Sequence, residues 1–239
     1  MYDLRLGNCL NLLNDIPDKS IDLILTDPPY NIAKYSTGNI HLPNRSSINN
    51  DLGEWDKIEI EPLDLLENFK RIIKPKGNIF IFTSYNQIGK WHNVFDKEFD
   101  TFQFMVWHKT NPVPKIYKNG FLNSCELIVC MWNKNHNWNF SNQNEMHNFI
   151  ETKICMQPER IKYPKHPAQK PLKLLKHIIK IASNEQDTIL DPFMGVGSTG
   201  IAAIQLNRKF IGIEIQKDYF DASCNRFQQF KQNNFKDYV

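Results

Sequence analysis

The tetrapeptide Asp27-Pro28-Pro29-Tyr30 is the first group of residues whose types and order could carry out chemistry. It follows the run Asp22–Thr26, which predicts a buried parallel strand, and ligands of open α/β sheets bind at the carboxyl ends of such strands. Consecutive prolines fix the backbone and remove its donors. The corner therefore offers the carboxylate of Asp27 and the carbonyl of Pro28 beside the ring of Tyr30. Two acceptors and a stacking surface suit an exocyclic amine on a planar ring; the alternative is an ordinary proline-containing turn.

A second group lies late in the chain, where Gly195, Gly197 and Gly200 follow the pattern G-x-G-x-x-G between a predicted strand and a predicted helix. Glu214 stands 19 residues after Gly195, at the end of the next predicted strand. Such glycines let the backbone approach a nucleotide-containing ligand, and such an acid accepts hydrogen bonds from ribose hydroxyls. Asp191, just before the glycines, suits a ligand that carries positive charge, such as S-adenosylmethionine.

Two other interpretations of this glycine-rich turn are an ordinary tight turn and a nicotinamide dinucleotide site. Only 39 residues follow Gly200, which is too few for the remaining strands of a dinucleotide fold that begins here. The rest of the sheet must therefore come from upstream sequence.

The elements that position these residues follow an α/β pattern, in which short apolar runs alternate with longer amphipathic stretches. The expected strands are Asp3–Leu6, Asp22–Thr26, Asn78–Phe82, Gln103–Trp107, Leu127–Trp132, Thr188–Leu190 and Phe210–Ile213. The expected helices are Pro62–Ile73, closed by Pro75 and Gly77, then Pro171–Ala182 and Ser198–Leu206. Residues 31–60 and 133–165 fit neither pattern, and long irregular segments of this kind are typically functional or mobile loops.

Composition is that of a folded cytoplasmic protein of one domain, residues 1–239, with 41% apolar and 23% charged residues. No apolar stretch is long enough for a membrane span, and the first residues do not form a secretion signal. The 5 cysteines are scattered and lack metal-ligand spacing, so free thiols are expected and no metal site.

The net charge is +3, and residues 153–180 carry eight basic side chains against Glu159 alone. Such a patch predicts phosphate binding or a solvated face.

Together these segments resemble the amino-directed DNA methyltransferases of the N4/N6 family, in the motif order of their beta class. The blocks that carry the resemblance are LGNCLNLLNDIPDKSIDLILTDPPY (Leu6–Tyr30), KPKGNIFIF (Lys74–Phe82), WHKTNPVP (Trp107–Pro114), HPAQKP (His166–Pro171), DPFMGVGSTG and IGIEI (Ile211–Ile215). The resemblance implies a Rossmann-like, seven-stranded, mostly parallel sheet with helices on both faces and one antiparallel strand. The motif order is circularly permuted, so the strands at the two chain ends should be neighbours.

The resemblance also implies a cofactor, S-adenosylmethionine, and residues that hold it. Asp191, Phe193 and the turn with Gly195, Gly197, Ser198 and Thr199 would hold the methionine portion and the sulfonium side, with Asp27 adjacent. Glu214 would take the ribose hydroxyls, and Asn8 and Cys9 would lie near the adenine. His166 and Gln169 would reach the methionine carboxylate or support the pocket. Two positions depart from the family's pattern: Ala168 replaces the usual threonine, and Asn8 stands where many members have an acid.

The implied reaction is direct transfer of a methyl group to a base flipped out of DNA. Asp27 and Pro28 would bind the amino hydrogens, Pro29 would stiffen the corner and Tyr30 would stack on the base. An aspartate at position 27 resembles the enzymes that act on adenine N6. The alternatives are cytosine N4, methylation of RNA or of a protein glutamine, and a protein that binds cofactor and DNA without catalysis.

Contacts to DNA, double- or single-stranded, are expected from a mobile substrate loop at residues 31–60 and from a short target-recognition insertion at residues 133–165. The individual residues are Tyr35, Arg45, Lys109, Asn111, Lys115 and Lys118. Because the insertion is short, a second copy of the chain could complete recognition. A cognate restriction endonuclease or a second methyltransferase is a further candidate partner.

Overall fold

The computed structural model describes residues 1–30, 60–114, 120–164 and 166–232. Within these ranges one sheet holds eight strands in the order β1-β8-β7-β2-β3-β5-β4-β6. The strands are β1 (Tyr2–Leu6), β2 (Ile21–Thr26), β3 (Ile73–Thr83), β4 (Thr101–Lys109), β5 (Cys125–Trp132), β6 (Phe149–Thr152), β7 (Thr188–Asp191) and β8 (Lys209–Glu214). All the strands predicted from the sequence are present.

Strand directions agree with the predicted mostly parallel sheet. Of the described strands, β5 alone runs antiparallel to its neighbours, β3 and β4. Strand β1 pairs in parallel with β8, with Leu6 opposite Glu214, so the first and last strands of the chain are neighbours, as the permuted motif order predicts. The sheet has one strand more than the predicted seven, because Phe149–Thr152 pairs with the edge strand β4.

Helices cover both faces of the sheet, as predicted. The helices are α1 (Cys9–Leu12), α2 (Pro62–Ile72), α3 (Ile88–Phe95), α4 (Leu172–Ala182), α5 (Ser198–Gln205) and α6 (Lys217–Gln232), and a short 3₁₀ turn spans Leu13–Asp15. Buried apolar side chains of α1, α2 and α3 pack in one core cluster, and those of α4, α5 and α6 pack in another. None of the helices in the described ranges is long and apolar enough to cross a membrane.

The start of α2 follows from local sequence, whereas its end differs from the prediction. The backbone N–H of Glu61 donates to the Asp64 carboxylate over 2.9 Å, which closes a capping box before the first turn. The helix ends at Ile72 and β3 begins at the next residue, so Pro75 and Gly77 lie inside the strand rather than closing the helix. A shift in register between β2 and β3 accommodates these residues, because Ile21 pairs with Ile73 and Leu23 with Asn78.

The predicted insertion at residues 133–165 contacts the sheet at both ends of its strands. At the edge away from the carboxyl ends of the parallel strands, Asn137 donates its N–H to the carbonyl of Lys76 and Asn139 donates to that of Ile181. Strand β6 then runs parallel to β4 and returns the chain to the carboxyl edge, where Thr152 ends it. Only the part of the insertion after β6 therefore lies beside the functional edge described next.

Candidate cofactor and catalytic site

A cavity of about 330 Å³ opens at the carboxyl ends of β1, β2, β7 and β8. All but one of the residues that the sequence assigns to a cofactor line this cavity, namely Asn8, Cys9, Asp27, His166, Gln169, Asp191, Phe193, Gly195, Ser198, Thr199 and Glu214. Gly197 instead forms the backbone turn at the amino end of α5. Lys170 and Tyr219 also line the cavity, and the sequence assigned neither of them to this site.

The glycine-rich turn needs glycine at two positions because its backbone is left-handed there. Gly195 has φ +52° and Gly197 has φ +80°, a region that side chains disfavour. A Cβ on Gly195 would lie 2.7 Å from Nε2 of His166. The turn can thus pack directly against the HPAQKP segment and leave its backbone facing the cavity.

Glu214 is fixed by backbone donors at the end of β8. Its Oε2 accepts the N–H of Gly195 over 2.9 Å, and its Oε1 accepts the N–H of Gln216 over 2.7 Å. Burial raises the pKa of Glu214, and these hydrogen bonds oppose that rise. The side chain is a preorganised acceptor on the cavity wall, with lone pairs left for hydroxyl groups of a ligand.

Asp191 ends β7 and accepts hydrogen bonds from three protein groups. The hydroxyl of Thr26 donates to Oδ1 over 2.7 Å, the N–H of Phe193 donates to the same atom over 3.1 Å, and the hydroxyl of Thr199 donates as well. Burial nevertheless raises the pKa of Asp191 to about 7. A cationic ligand in the cavity would restore the ionised form, since an opposite charge nearby lowers the pKa of a carboxyl group.

The residues after β1 hold the opposite wall of the cavity. The side chain of Asn8 accepts the N–H of Leu10 over 2.9 Å and so caps α1, a role that an aspartate also performs. Burial raises the pKa of the Cys9 thiol to about 12. Cys9 is therefore a neutral thiol and not a nucleophile at ordinary pH.

The segment before α4 contributes two uncharged side chains to the wall, those of His166 and Gln169. Burial lowers the pKa of His166 to about 4, so its imidazole is neutral, and the ring packs edge-on against Tyr219 at 4.7 Å. The carboxamide of Gln169 accepts the N–H of Ile161 over 3.0 Å and donates to the carbonyl of Glu159 over 3.1 Å. Both ends of that amide are thus hydrogen-bonded to the segment from Glu159 to Ile161.

The Asp27–Tyr30 corner stands at the carboxyl end of β2, on the rim of the same cavity. Asp27 and Pro29 line the cavity, and Pro28 is buried between them. The hydroxyl of Tyr30 donates to Oδ1 of Asp27 over 2.6 Å, and its carbonyl accepts the side-chain amide of Gln87 over 3.2 Å. The corner is therefore fixed at both of its ends.

A chain of largely buried charges continues from this corner. The ammonium of Lys170 pairs with Oδ2 of Asp27 and lies 3.3 Å from Oε2 of Glu126, whose Oε1 is 2.7 Å from the ammonium of Lys109. Burial raises the pKa of Asp27 against the attraction of Lys170. Burial also opposes ionisation of Glu126, but Lys170 and Lys109 outweigh it and lower the pKa of that carboxyl group. The four side chains together are electrically balanced.

The residues that the sequence assigns to DNA contacts are only partly described. Lys109 is paired with Glu126, so a phosphate contact would compete with that ion pair. The side-chain Oδ1 of Asn111 accepts the N–H of Ile154 over 2.8 Å and ties the segment after β4 to the segment after β6. Tyr35, Arg45, Lys115 and Lys118, and the substrate loop up to residue 59, lie outside the described residues.

The doubly covered, mostly parallel sheet with this cavity at its carboxyl edge defines a Rossmann-like methyltransferase. Residues 21–225 match the family model of the N6/N4 DNA methylases, so the chain belongs to that family. The resemblance seen in the sequence is confirmed. The chain is a DNA methyltransferase with S-adenosylmethionine as its cofactor.

Relatives match over almost the whole chain. The type II methyltransferase M.HinfI of Haemophilus influenzae is 33% identical, over 95% of this chain and 68% of the relative. The type II methyltransferase M2.MboI of Moraxella bovis is 30% identical, over 98% of this chain and 92% of the relative.

Solved structures share the fold. The complex of M1.HpyAVI with S-adenosylmethionine has a TM-score of 0.69 and 27% identity, and the match covers 95% of this chain and all (100%) of that one. The cytosine-N4-specific PvuII DNA methyltransferase has a TM-score of 0.68 and 18% identity, over 98% of this chain and 92% of that one. The second likeness concerns the fold alone.

The chemistry of the cavity fits the cofactor. S-adenosylmethionine carries a ribose diol at its centre and positive charge toward its methionine end. The cavity offers the buried carboxylates of Glu214 and Asp191 from the ends of two adjacent strands, and a glycine turn between them. Acceptors for hydroxyl groups and a counter-charge are therefore both present, and the cavity volume lies in the range of small-molecule sites.

Proposed function

We propose that this methyltransferase acts on the N6 amino group of adenine, at a specific site in DNA, with the Asp27–Tyr30 corner as its catalytic centre. One observation carries the proposal: the carboxylate of Asp27 lies on the wall of the cofactor cavity and is bonded to the hydroxyl of Tyr30 over 2.6 Å. An acceptor for the amino hydrogens and an aromatic ring are thus held together beside the methyl donor's site.

In the proposed reaction, Asp27 and the carbonyl of Pro28 accept hydrogen bonds from the two amino hydrogens of the flipped-out base. These bonds orient the nitrogen lone pair toward the cavity, and the ring of Tyr30 stacks on the base. The bound cofactor supplies an electrophilic methyl group. Positioning and fixed electrostatics account for the rate, because the protein groups are preorganised by Lys170, Gln87 and the strand end. After transfer the cationic amine gives up one proton through Asp27 to solvent, and no cysteine takes part.

The cofactor assignments are part of the same proposal. Glu214 would accept the ribose hydroxyls, Asp191 would face the cationic portion, and Asn8 and Cys9 would lie beside the adenine ring. His166, Phe193 and the turn from Gly195 through Gly197 to Ser198 and Thr199 would complete the pocket, with Gln169 as its support.

The proposal is tested by incubating the protein with labelled S-adenosylmethionine and mixed-sequence duplex DNA, followed by analysis of the nucleosides. We expect N6-methyladenine. N4-methylcytosine without N6-methyladenine would overturn the base assignment.

Two variants test the roles of the residues. Asp27→Asn should abolish transfer and keep cofactor affinity within about tenfold. Glu214→Ala should weaken cofactor binding by about 10- to 100-fold, which corresponds to the loss of one or two hydrogen bonds to a charged group. Full transfer by Asp27→Asn would remove the corner from the mechanism.

Recognition of the target sequence is the least complete part of the site. We place it on residues 153–164, which follow β6 at the functional edge and carry Lys153, Arg160 and Lys162, together with the substrate loop. A second copy of the chain, a cognate endonuclease or a second methyltransferase would supply the rest. Sedimentation of the protein with and without a methylatable duplex tests for the second copy, and a 1:1 complex would exclude it.

A further inference from the structure

The side chain of Lys170 is almost completely buried, at 6% exposure, although it carries a charge and sits in a strongly basic stretch. Its ammonium contacts two carboxylates, those of Asp27 and Glu126, and lies over the rings of Phe82 at 4.9 Å and Tyr30 at 5.6 Å. Each of these groups favours a cation. Burial opposes that charge, but the two carboxylates outweigh it and raise the pKa of Lys170.

Glu126 holds this lysine from the side opposite Asp27. Its two oxygens contact Lys170 and Lys109, and its Oε2 also lies 3.3 Å from the hydroxyl of Tyr30. Tyr30 in turn donates to Asp27. Asp27 and Glu126 are therefore joined through the ammonium of Lys170, and both also lie beside the phenol of Tyr30, whose single hydrogen goes to Asp27.

We propose that Lys170 is a positioning residue for methyl transfer, which keeps the Asp27 carboxylate charged and oriented toward the target amine, and that Glu126, anchored by Lys109, holds Lys170 in that place. This inference rests on the proposed function of Asp27. It concerns residues that contact the catalytic carboxylate and not the reacting atoms.

The physical reason lies in what remains when the lysine is removed. Two largely buried carboxylates would then lie on either side of the hydroxyl of Tyr30, and like charges at such a distance favour uptake of a proton by one of them. A protonated Asp27 donates a hydrogen bond where the target amine needs an acceptor. The charged or titratable groups that face Asp27 are Lys170, Glu126, Tyr30 and, from β7, Asp191.

The two variants Lys170→Met and Glu126→Gln should act on the pH profile in opposite directions. Loss of Lys170 removes an attraction that favours the charged carboxylate, so the acid limb of kcat should move to higher pH by about one unit or more. Loss of Glu126 removes a repulsion, so the acid limb should move to lower pH. We expect kcat of Lys170→Met at neutral pH to fall by about 100-fold, as when a preorganised electrostatic group is lost. Lys170→Arg, which keeps the charge, should retain the wild-type limb.

A matched control lies at the start of β2, the strand that ends just before Asp27. The ammonium of Lys74 is 2.7 Å from Oδ2 of Asp22, whose side chain is 7% exposed, so Lys74→Met also removes the cation that is paired with a buried carboxylate. It should lower stability without moving the pH profile. The double variant Lys170→Met/Glu126→Gln should move the acid limb back toward wild type, because neither the cation nor the second carboxylate is left.

The measurements are kcat and KM for DNA from pH 5.5 to 9, cofactor affinity by calorimetry, and thermal unfolding for each variant. An unchanged acid limb in Lys170→Met, or an equal loss at every pH, would overturn the proposal. If Lys170→Met does not fold, an upward shift in Glu126→Gln would overturn it, and the expected downward shift would support it. The profile is measured on whichever base the wild type methylates, so a cytosine product would refute the base assignment and leave this test intact.

Discussion

The hydroxyl of Thr26 donates a 2.7 Å hydrogen bond to Oδ1 of Asp191, across 165 residues of sequence. Thr26 is the last residue of β2, directly before the Asp27–Tyr30 corner, and Asp191 is the last residue of the neighbouring β7, directly before the glycine turn. Both groups are buried. The corner proposed for the base and the wall proposed for the cofactor are thus joined by one bond between adjacent strand ends.

Thr26→Val should weaken the cofactor and leave the fold intact. Valine keeps the shape of threonine but removes a donor that stabilises the charged form of Asp191, so we expect Kd for S-adenosylmethionine to rise by about 5- to 10-fold, the value of one hydrogen bond. Calorimetric titration measures it. Thr83→Val is the control, because Thr83 is equally buried at the end of β3 but, among the residues that the structure describes, its hydroxyl reaches only the carbonyl of Ser84, at 3.5 Å. Equal affinities in the two variants would contradict the coupling of corner and cofactor.

Cofactor affinity should depend on pH through Asp191. Burial raises the pKa of Asp191 to about 7, so the carboxyl group loses its charge as the pH falls through neutrality. Under the proposed assignment it faces the cationic part of the cofactor, and Kd should therefore rise as pH falls below about 7. The stability of the apoprotein should depend on pH in the opposite direction. Because the pKa of Asp191 is raised in the folded state, the contribution of this group to stability is lost as pH rises from 3.8 toward 7.

Titrations at several pH values between 6 and 8 test this dependence, with Asp191→Asn as the reference. The asparagine variant should bind the cofactor weakly and with little change over this range. A wild-type affinity that is flat below pH 7 would show that Asp191 does not face the cation.

The sequence reveals most of the site because a simple rule applies to it. Asp27, Asp191 and Glu214 each follow or end an apolar run, and parallel strands gather such residues at one edge. Glu126 escapes that rule because β5 is antiparallel, so its amino end, and not its carboxyl end, meets the functional edge. In the sequence, Lys170 is one more member of a basic stretch. Its burial depends on the carboxylates of Asp27 and Glu126, which are 143 and 44 positions away. Contacts of that range leave no local pattern.

Tyr30→Phe and Tyr30→Ala should separate two roles of one side chain. Phenylalanine removes the hydroxyl that bonds Asp27 and keeps the ring, so we expect kcat to fall by about tenfold with base flipping retained. Alanine also removes the stacking surface, which is worth about 1–3 kcal/mol per base. The fluorescence of 2-aminopurine at the target position reports flipping. Flipping that survives in Tyr30→Ala would contradict the stacking role.

The third glycine of the turn should be a packing position and not a ligand contact. A Cβ on Gly200, in α5, would lie 2.4 Å from the ring atoms of both Phe210 and Phe227, which are themselves buried. Gly200→Ala should therefore lower the free energy of unfolding by about 1–3 kcal/mol, as overpacking does. Gly89→Ala is the matched control in α3, where an added Cβ meets nothing within 4 Å, and it should stabilise the protein by about 0.5–1 kcal/mol.

Chemical denaturation of the two variants gives both free energies, and calorimetry gives their cofactor affinity. Because Gly200 holds the helix against β8 and α6 instead of the cavity, the folded fraction of Gly200→Ala should bind S-adenosylmethionine with near wild-type Kd. A large loss of affinity without a loss of stability would place Gly200 at the ligand. Equal effects of the two alanines on stability would show that helix propensity, and not the contact with the two phenylalanines, decides the role of this glycine.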